Sequence, residues 1–295
     1  MDNCIQIGRG DLKVWVGKPG KYYNRTRFDW TGFIPQVSLK GHTFCTTEAS
    51  SWHQNGSGGV GLCDEFRIDE ETMGWDKTDK LFLKPGVGLL ERADDKPYHF
   101  GTEYNIVKPF PCTMEAGADY VDFHLDAISL KGLSYTMDKH VGVIDNMVFI
   151  TTTVTNNGEK PLHFREYNHN FLSLDGLGAH PEVSLTLTNN YYNSDETPGL
   201  IMNEDSITFT DEIKGSFMIF CRDPKPYAPM RWELRDKKAG LSVQEWGDFD
   251  VTDFLAWGGP HVISPEIYGD FPVKPGQARS WTRVWKFFAD KEENT

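Results

Sequence analysis

Residues 147–171 read "MVFITTTVTNNGEKPLHFREYNHNF", and within them Val148, Ile150, Thr152 and Val154 alternate with Phe149, Thr151, Thr153 and Thr155. A β-branched run of period two predicts a strand with one buried face, because successive strand side chains point to opposite sides. "NNGEKP" breaks the run as a turn, and a second strand is expected from Leu162. Similar short runs recur: "LKVWVG", "FIPQVSLKG", "VDFHLDAISL", "VSLTLTNN", "SITFTD", "GSFMIFC", "LSVQEW", "HVISPEIYG" and "WTRVWKFF". Gly, Pro, Asn and Asp punctuate them. Only "DEETMGWDKTDKL" (69–81) suggests a helical turn. Strands without intervening helices predict an all-β protein, a large antiparallel sandwich rather than a parallel α/β sheet. No fixed-period repeat or low-complexity linker divides the chain, so residues 1–295 are expected to form one domain.

Composition narrows the partners. The net charge of −13 repels phosphate backbones and argues against nucleic acid. No run of 18 apolar residues exists to span a membrane, and the first residues, "MDNCIQIGRGDLKVWVGK", lack the pattern of a secretion signal. "NRT" (24–26) and "NGS" (55–57) therefore read as idle glycosylation patterns. The five cysteines (4, 45, 63, 112 and 221) have no paired spacing, which points to reduced thiols in a cytoplasm rather than disulfides or a zinc site. Aromatic residues are abundant, and Trp15, Trp30, Trp52, Trp75, Trp246 and Trp257 offer apolar faces to a sugar or to the core.

Two segments carry candidate chemistry. In "REYNHNFLSLDG" (165–176), His169 stands where a strand would place a packing residue. It is either a satisfied core histidine or an acid. A metal reading lacks ligands: His163 shares its strand face, but six strand residues span roughly 20 Å. In "WGGPHVISPEIYGDFPVKPGQARSWTRVWKFF" (257–288), Glu266 follows Ser-Pro in a strand-like stretch, as a surface residue or a carboxylate aimed into a cleft. Pro265 is expected at an edge, a strand start or a bulge, because it cannot donate to a ladder.

Together these segments resemble the aldose 1-epimerases, the galactose mutarotase-like family. "YNHNFLSLDG" is similar to that family's Asn-His strand. "SPEIYGDFPVKPGQARSWTRVWKF" is similar to its late glutamate strand, Pro-Gly turn and aromatic closing strand, and "VSLTLTNNYYNSDETPGLIM" to the stretch between. The resemblance implies the family's large antiparallel β-sandwich, with His169 as general acid and Glu266 as general base. The family's "HGG" segment is missing; "GSGGVGLCDEFRID" stands in its place and offers Asp64, Glu65 and Arg67. "NRTRFDWTG" falls where the family has a sugar-binding arginine, so Arg25 or Arg27 takes that role. Asn168 and His261 complete the expected sugar contacts.

The implied reaction interconverts the anomers or epimers of a sugar or sugar derivative. A base takes the anomeric proton, an acid protonates the ring oxygen, the ring opens, and rotation about C1–C2 precedes closure. A glutamate near its reference pKa of about 4.3 is ionised at neutral pH, and each positioned transfer is worth about 10²–10⁴-fold. The two groups are expected to face one cleft, on the order of 5–8 Å apart. Neither metal nor other cofactor is expected; the partner is a small carbohydrate, and a homodimer is compatible with the chain. Three alternatives stay open: a carbohydrate-binding sandwich without turnover, a lyase or hydrolase on the same fold, and a hexose-phosphate epimerase using Arg25, Arg27, Arg67 and Arg231.

Overall fold

The computed structural model describes residues 1–50, 56–67, 73–75, 79–188, 193–194, 197–211, 213–221 and 231–290. Of the segment expected to hold a helical turn, Met73 and Gly74 form a turn. Trp75 is in no regular element and Leu81 begins a strand, so these described residues are not helical; residues 69–72 and 76–78, like Trp52, lie outside the described residues. Among the described residues no helix is long and apolar enough to cross a membrane.

The alternating run became the strand Met147–Asn156, with Val148, Ile150, Thr152 and Val154 buried and the residues between them half-buried. It sits inside a ten-stranded sheet between Ala278–Ala289 and Tyr135–Ile144. A six-stranded sheet has Val251–Gly259, Val262–Val273, Leu162–Phe171 and Gly61–Arg67 as its last four strands, in that order. Smaller four- and three-stranded sheets complete the fold, and every strand pairing is antiparallel. The fold is a large antiparallel β-sandwich, and one hydrophobic cluster extends from Ile7 to Ala289. Phe271 and Trp281 stack across the two large sheets with centroids 3.9 Å apart.

The space between these sheets also holds charge. Arg283 grips Glu166 with two nitrogens, each 2.9 Å from a carboxylate oxygen, and donates to Glu245 Oε1 at 2.9 Å. Trp281 and Trp232 donate to the same two glutamates. Asn170 donates to Glu245 at 2.9 Å and accepts from Trp285 at 2.9 Å. Such a network is tolerable only when nearly every lone pair and proton is satisfied. Here it pins the inward side chains of Leu162–Phe171, so the outward side chains are presented by a strand held from behind.

Pro265 departs from its expected edge position. It lies within Val262–Val273, a strand paired on both sides. The ladder to Leu162–Phe171 opens around it. Tyr167 pairs with Tyr268, the register resumes unchanged at Leu172 and Ile263, and the four residues between on each strand form no ladder pair. Asn170 donates its amide to the Pro265 carbonyl at 2.5 Å across the gap. An opened ladder, not a bulge, accommodates the missing N–H, and His169 and Glu266 face each other across it.

Candidate active site

Strand parity builds the site. His163, Arg165, Tyr167 and His169 point outward from the six-stranded sheet, while Glu166 and Asn170 reach the other sheet. On neighbouring strands the outward residues include Glu65 and Arg67, Glu266 and Tyr268, and Leu255 and Trp257. They floor a cavity of about 850 Å³. Arg27, Glu48, Tyr98, His99 and Phe100 wall one side, and Met218 and Phe220 another.

At its centre His169 and Glu266 are in direct contact. Nδ1 of His169 lies 2.6 Å from Ser264 Oγ and 3.1 Å from Glu266 Oε1. Ser264 donates to that same carboxylate oxygen at 3.2 Å, and Tyr268 donates to Oε2 at 2.8 Å. The expected separation of 5–8 Å is therefore corrected: the open ladder lets the two side chains meet with no group between them. With Nδ1 engaged, Nε2 is the ring nitrogen left for a ligand. The imidazole is clamped by Phe171, stacked at 4.1 Å, and by the edge of Trp257 at 5.7 Å.

Both groups are buried at the cavity floor: His169 is 5% and Glu266 2% exposed. Burial pushes the Glu266 carboxyl up to about 8, against the hydrogen bonds from Tyr268 and Ser264 and the Arg27 charge that favour ionisation. Burial, followed by the Arg27 charge, pushes the His169 imidazole well below its usual value. Both shifts favour the uncharged forms, a protonated Glu266 and a neutral His169. Burial thus works against the ionised form expected of a glutamate near its reference value. Because neutral and charge-separated forms of the pair have the same proton count, they are tautomers of one dyad.

Arg27 is the only one of the two N-terminal arginines at the cavity. It is buried between Glu65, 2.7 Å from Nε, and Glu48, 3.2 Å from Nη1, and its guanidinium lies over Phe28 and Phe100. Tyr167 donates to the same Glu65 oxygen at 2.5 Å. Glu65 and Arg67, named from the sequence as candidate sugar contacts, both line the cavity.

Four other candidates are elsewhere. Asn168 has inward parity and donates to Asp64 at 2.6 Å, beside the buried Lys139 that pairs with Asp64 and Asp29. Arg25 is exposed and donates to the Gly56 carbonyl at 3.0 Å, outside the cavity lining. His261 donates to the Thr47 carbonyl at 2.9 Å and lies outside the lining as well. Arg231 stacks over Trp246, 4.7 Å from its centroid and away from the cavity. Of the tryptophans, Trp257 lines the cavity, whereas Trp30 and Trp75 are buried in a second apolar cluster. Among the described residues no group of three or more His, Cys, Asp or Glu side chains is gathered to hold a metal ion.

Sequence reasoning missed Arg165, Tyr167, Ser264 and Tyr268. Their signal was available, since each lies an even number of residues from His169 or Glu266 on the same strand. Glu48, Tyr98, His99 and Phe100 come from loops whose approach leaves no periodic trace.

No protein-family model matches the sequence, and no curated protein sequence matches it significantly. Solved structures do match in shape. A galactose mutarotase related enzyme of Lactobacillus acidophilus superposes with a TM-score of 0.59 at 12% identity, covering 98% of this chain and 99% of that one. A galactose mutarotase-like protein of Lactobacillus casei gives 0.59 at 12% identity, over 97% and 100% of the two chains. A GalM/aldose epimerase homologue of C. elegans gives 0.56 at 12% identity, over 98% and 99%. At such identities the likeness is one of architecture, and on that ground the chain has the galactose mutarotase-like fold.

Proposed function

We propose that the protein interconverts the anomers of a sugar by proton transfer at the His169–Glu266 dyad. The observation that carries this reading is the direct contact of the two groups, 3.1 Å apart on the floor of a cavity of about 850 Å³. That volume lies within the usual range of about 300–1,000 Å³ for small-molecule sites. Anomeric exchange asks for one proton to be taken from the anomeric hydroxyl while another is given to the ring oxygen. A dyad holding one mobile proton supplies both transfers and is restored when the ring closes. In the neutral tautomer Glu266 donates to the ring oxygen and His169 accepts; in the charge-separated tautomer the roles exchange. Ser264 and Tyr268 keep Glu266 oriented through both halves. The two other carboxylates at the site, Glu48 and Glu65, neutralise Arg27 and supply acceptors for sugar hydroxyls.

The test is anomeric exchange followed by NMR over a panel of free and substituted sugars. The α–β exchange rate of at least one sugar should rise in proportion to protein concentration. Spontaneous exchange rates for the whole panel, with sugar binding retained, would leave a carbohydrate-binding sandwich.

A further inference from the structure

Arg67 and Arg165 are directly opposed across adjacent antiparallel strands, on the face that floors the cavity. Like charges in that position destabilise a sheet. In a chain with 43 acidic and 30 basic residues, such a pairing is not the result of a basic surface. Both guanidinium groups lean over one ring: their carbons lie 5.5 and 5.6 Å from the centroid of Tyr268. Of the two arginines, only Arg165 has carboxylates beside it, Asp253 at 3.3 Å and Asp270 at 3.8 Å, the latter also 3.8 Å from His163 Nε2. Arg67 forms no ion pair among the described residues, and Nε of Arg165 is buried without a hydrogen-bond acceptor. Both strands thus present donors without an acceptor among the described residues.

Their position relative to the dyad gives the pair a meaning. Tyr268 is two residues from Glu266 on the same strand face and donates to it. Two strand residues advance by roughly 7 Å, about the length of a pyranose ring. A sugar with its anomeric carbon at the dyad and its long axis along the strand would bring its far end to the two arginines. Planar guanidinium forks match the oxygens of a carboxylate or phosphate.

We propose that Arg67 and Arg165 form a subsite for an anionic group, a carboxylate or a phosphate monoester, carried by the sugar at the end remote from its anomeric carbon. This rests on the reading of the cavity as a sugar site with anomeric exchange at the dyad. The experiment compares glucose, glucuronate and glucose 6-phosphate with the wild type, Arg67→Gln and Arg67→Lys, by NMR exchange and by calorimetry. The expected result is a KM at least about tenfold lower for one anionic sugar than for glucose, with that advantage lost in Arg67→Gln and partly regained in Arg67→Lys. The loss falls on KM rather than kcat. The uronate and phosphate arms tell which anion is preferred. Equal or better use of glucose, or an anionic preference that survives Arg67→Gln, overturns the subsite. Should no sugar exchange, the proton-transfer reading fails alone, and calorimetry still decides the subsite. An anionic sugar bound about tenfold more weakly by Arg67→Gln supports it, and unchanged or absent binding overturns it.

Discussion

Replacing Tyr268 by Phe removes one hydroxyl and keeps the ring. The ring stacks on Tyr167 at 4.3 Å and underlies Arg67 and Arg165, so those contacts survive. What is lost is the 2.8 Å hydrogen bond to Glu266 Oε2, made where both side chains are buried and water is a poor substitute. A hydrogen bond to an ionised acceptor is worth about 1.5–3 kcal/mol and one to a neutral acceptor about 0.5–1.5 kcal/mol. The difference, about 1–1.5 kcal/mol, favours the ionised carboxylate, and 1.36 kcal/mol corresponds to one pH unit. Tyr268→Phe should therefore raise the Glu266 midpoint by about one unit above its present value of about 8. The assay is a ¹³C NMR titration of the Glu266 carboxyl carbon, which needs no substrate. If anomeric exchange is measured as well, the alkaline limb of its pH profile should move by the same amount. An unmoved midpoint, or one displaced downward, would refute the view that burial raises this carboxyl while Tyr268 holds it back.

Further consequences follow from the buried charges. Arg283→Met leaves Glu166 and Glu245 without their cation, and urea unfolding should show a loss of about 3–5 kcal/mol; a loss under about 1 kcal/mol would contradict the network's role. Burial raises Glu166 to about 6, Glu245 to about 7 and Glu266 to about 8, so the folded state binds protons that the unfolded state has already released near pH 4.5. Folding stability should therefore decline from about pH 5 to 8, as thermal melts across that range would register, and a rise would contradict the sign. Ser264→Ala removes the hydroxyl that bonds both Nδ1 of His169 and Glu266, and should lower exchange while leaving the free energy of urea unfolding within about 1 kcal/mol of wild type.

Much of this was legible in the sequence where one physical rule dominated. The period-two run at 148–155 marked a strand with one buried face, and the structure buries those alternate positions. His169 and Glu266 stood out as polar residues in stretches otherwise suited to packing, and they meet in one cavity. The same rule of parity would have assigned Asn168 to the opposite face and brought in Arg165, Tyr167 and Tyr268, had it been carried along each strand from the central residue. Pro265 misled because edge placement assumes an intact ladder, whereas here the ladder opens and an asparagine side chain bridges it. The shifts at Glu266 and His169 were invisible, since reference values describe hydrated groups and desolvation is decided by what the fold packs around them. Arg25 and Arg27 differ only in their loop's path, which turns one to solvent and the other between two glutamates.

The central claim, that one proton shared by His169 and Glu266 drives anomeric exchange, is tested most directly by a comparison of four proteins. NMR exchange and calorimetric sugar binding would be measured for wild type, Glu266→Gln, His169→Asn and the double variant. Each single change should lower exchange by at least about 10²-fold with binding retained, and the double variant should be little worse than the poorer single one, because the two groups act on one proton movement. Wild-type exchange in Glu266→Gln, or losses that multiply in the double variant, would contradict that claim.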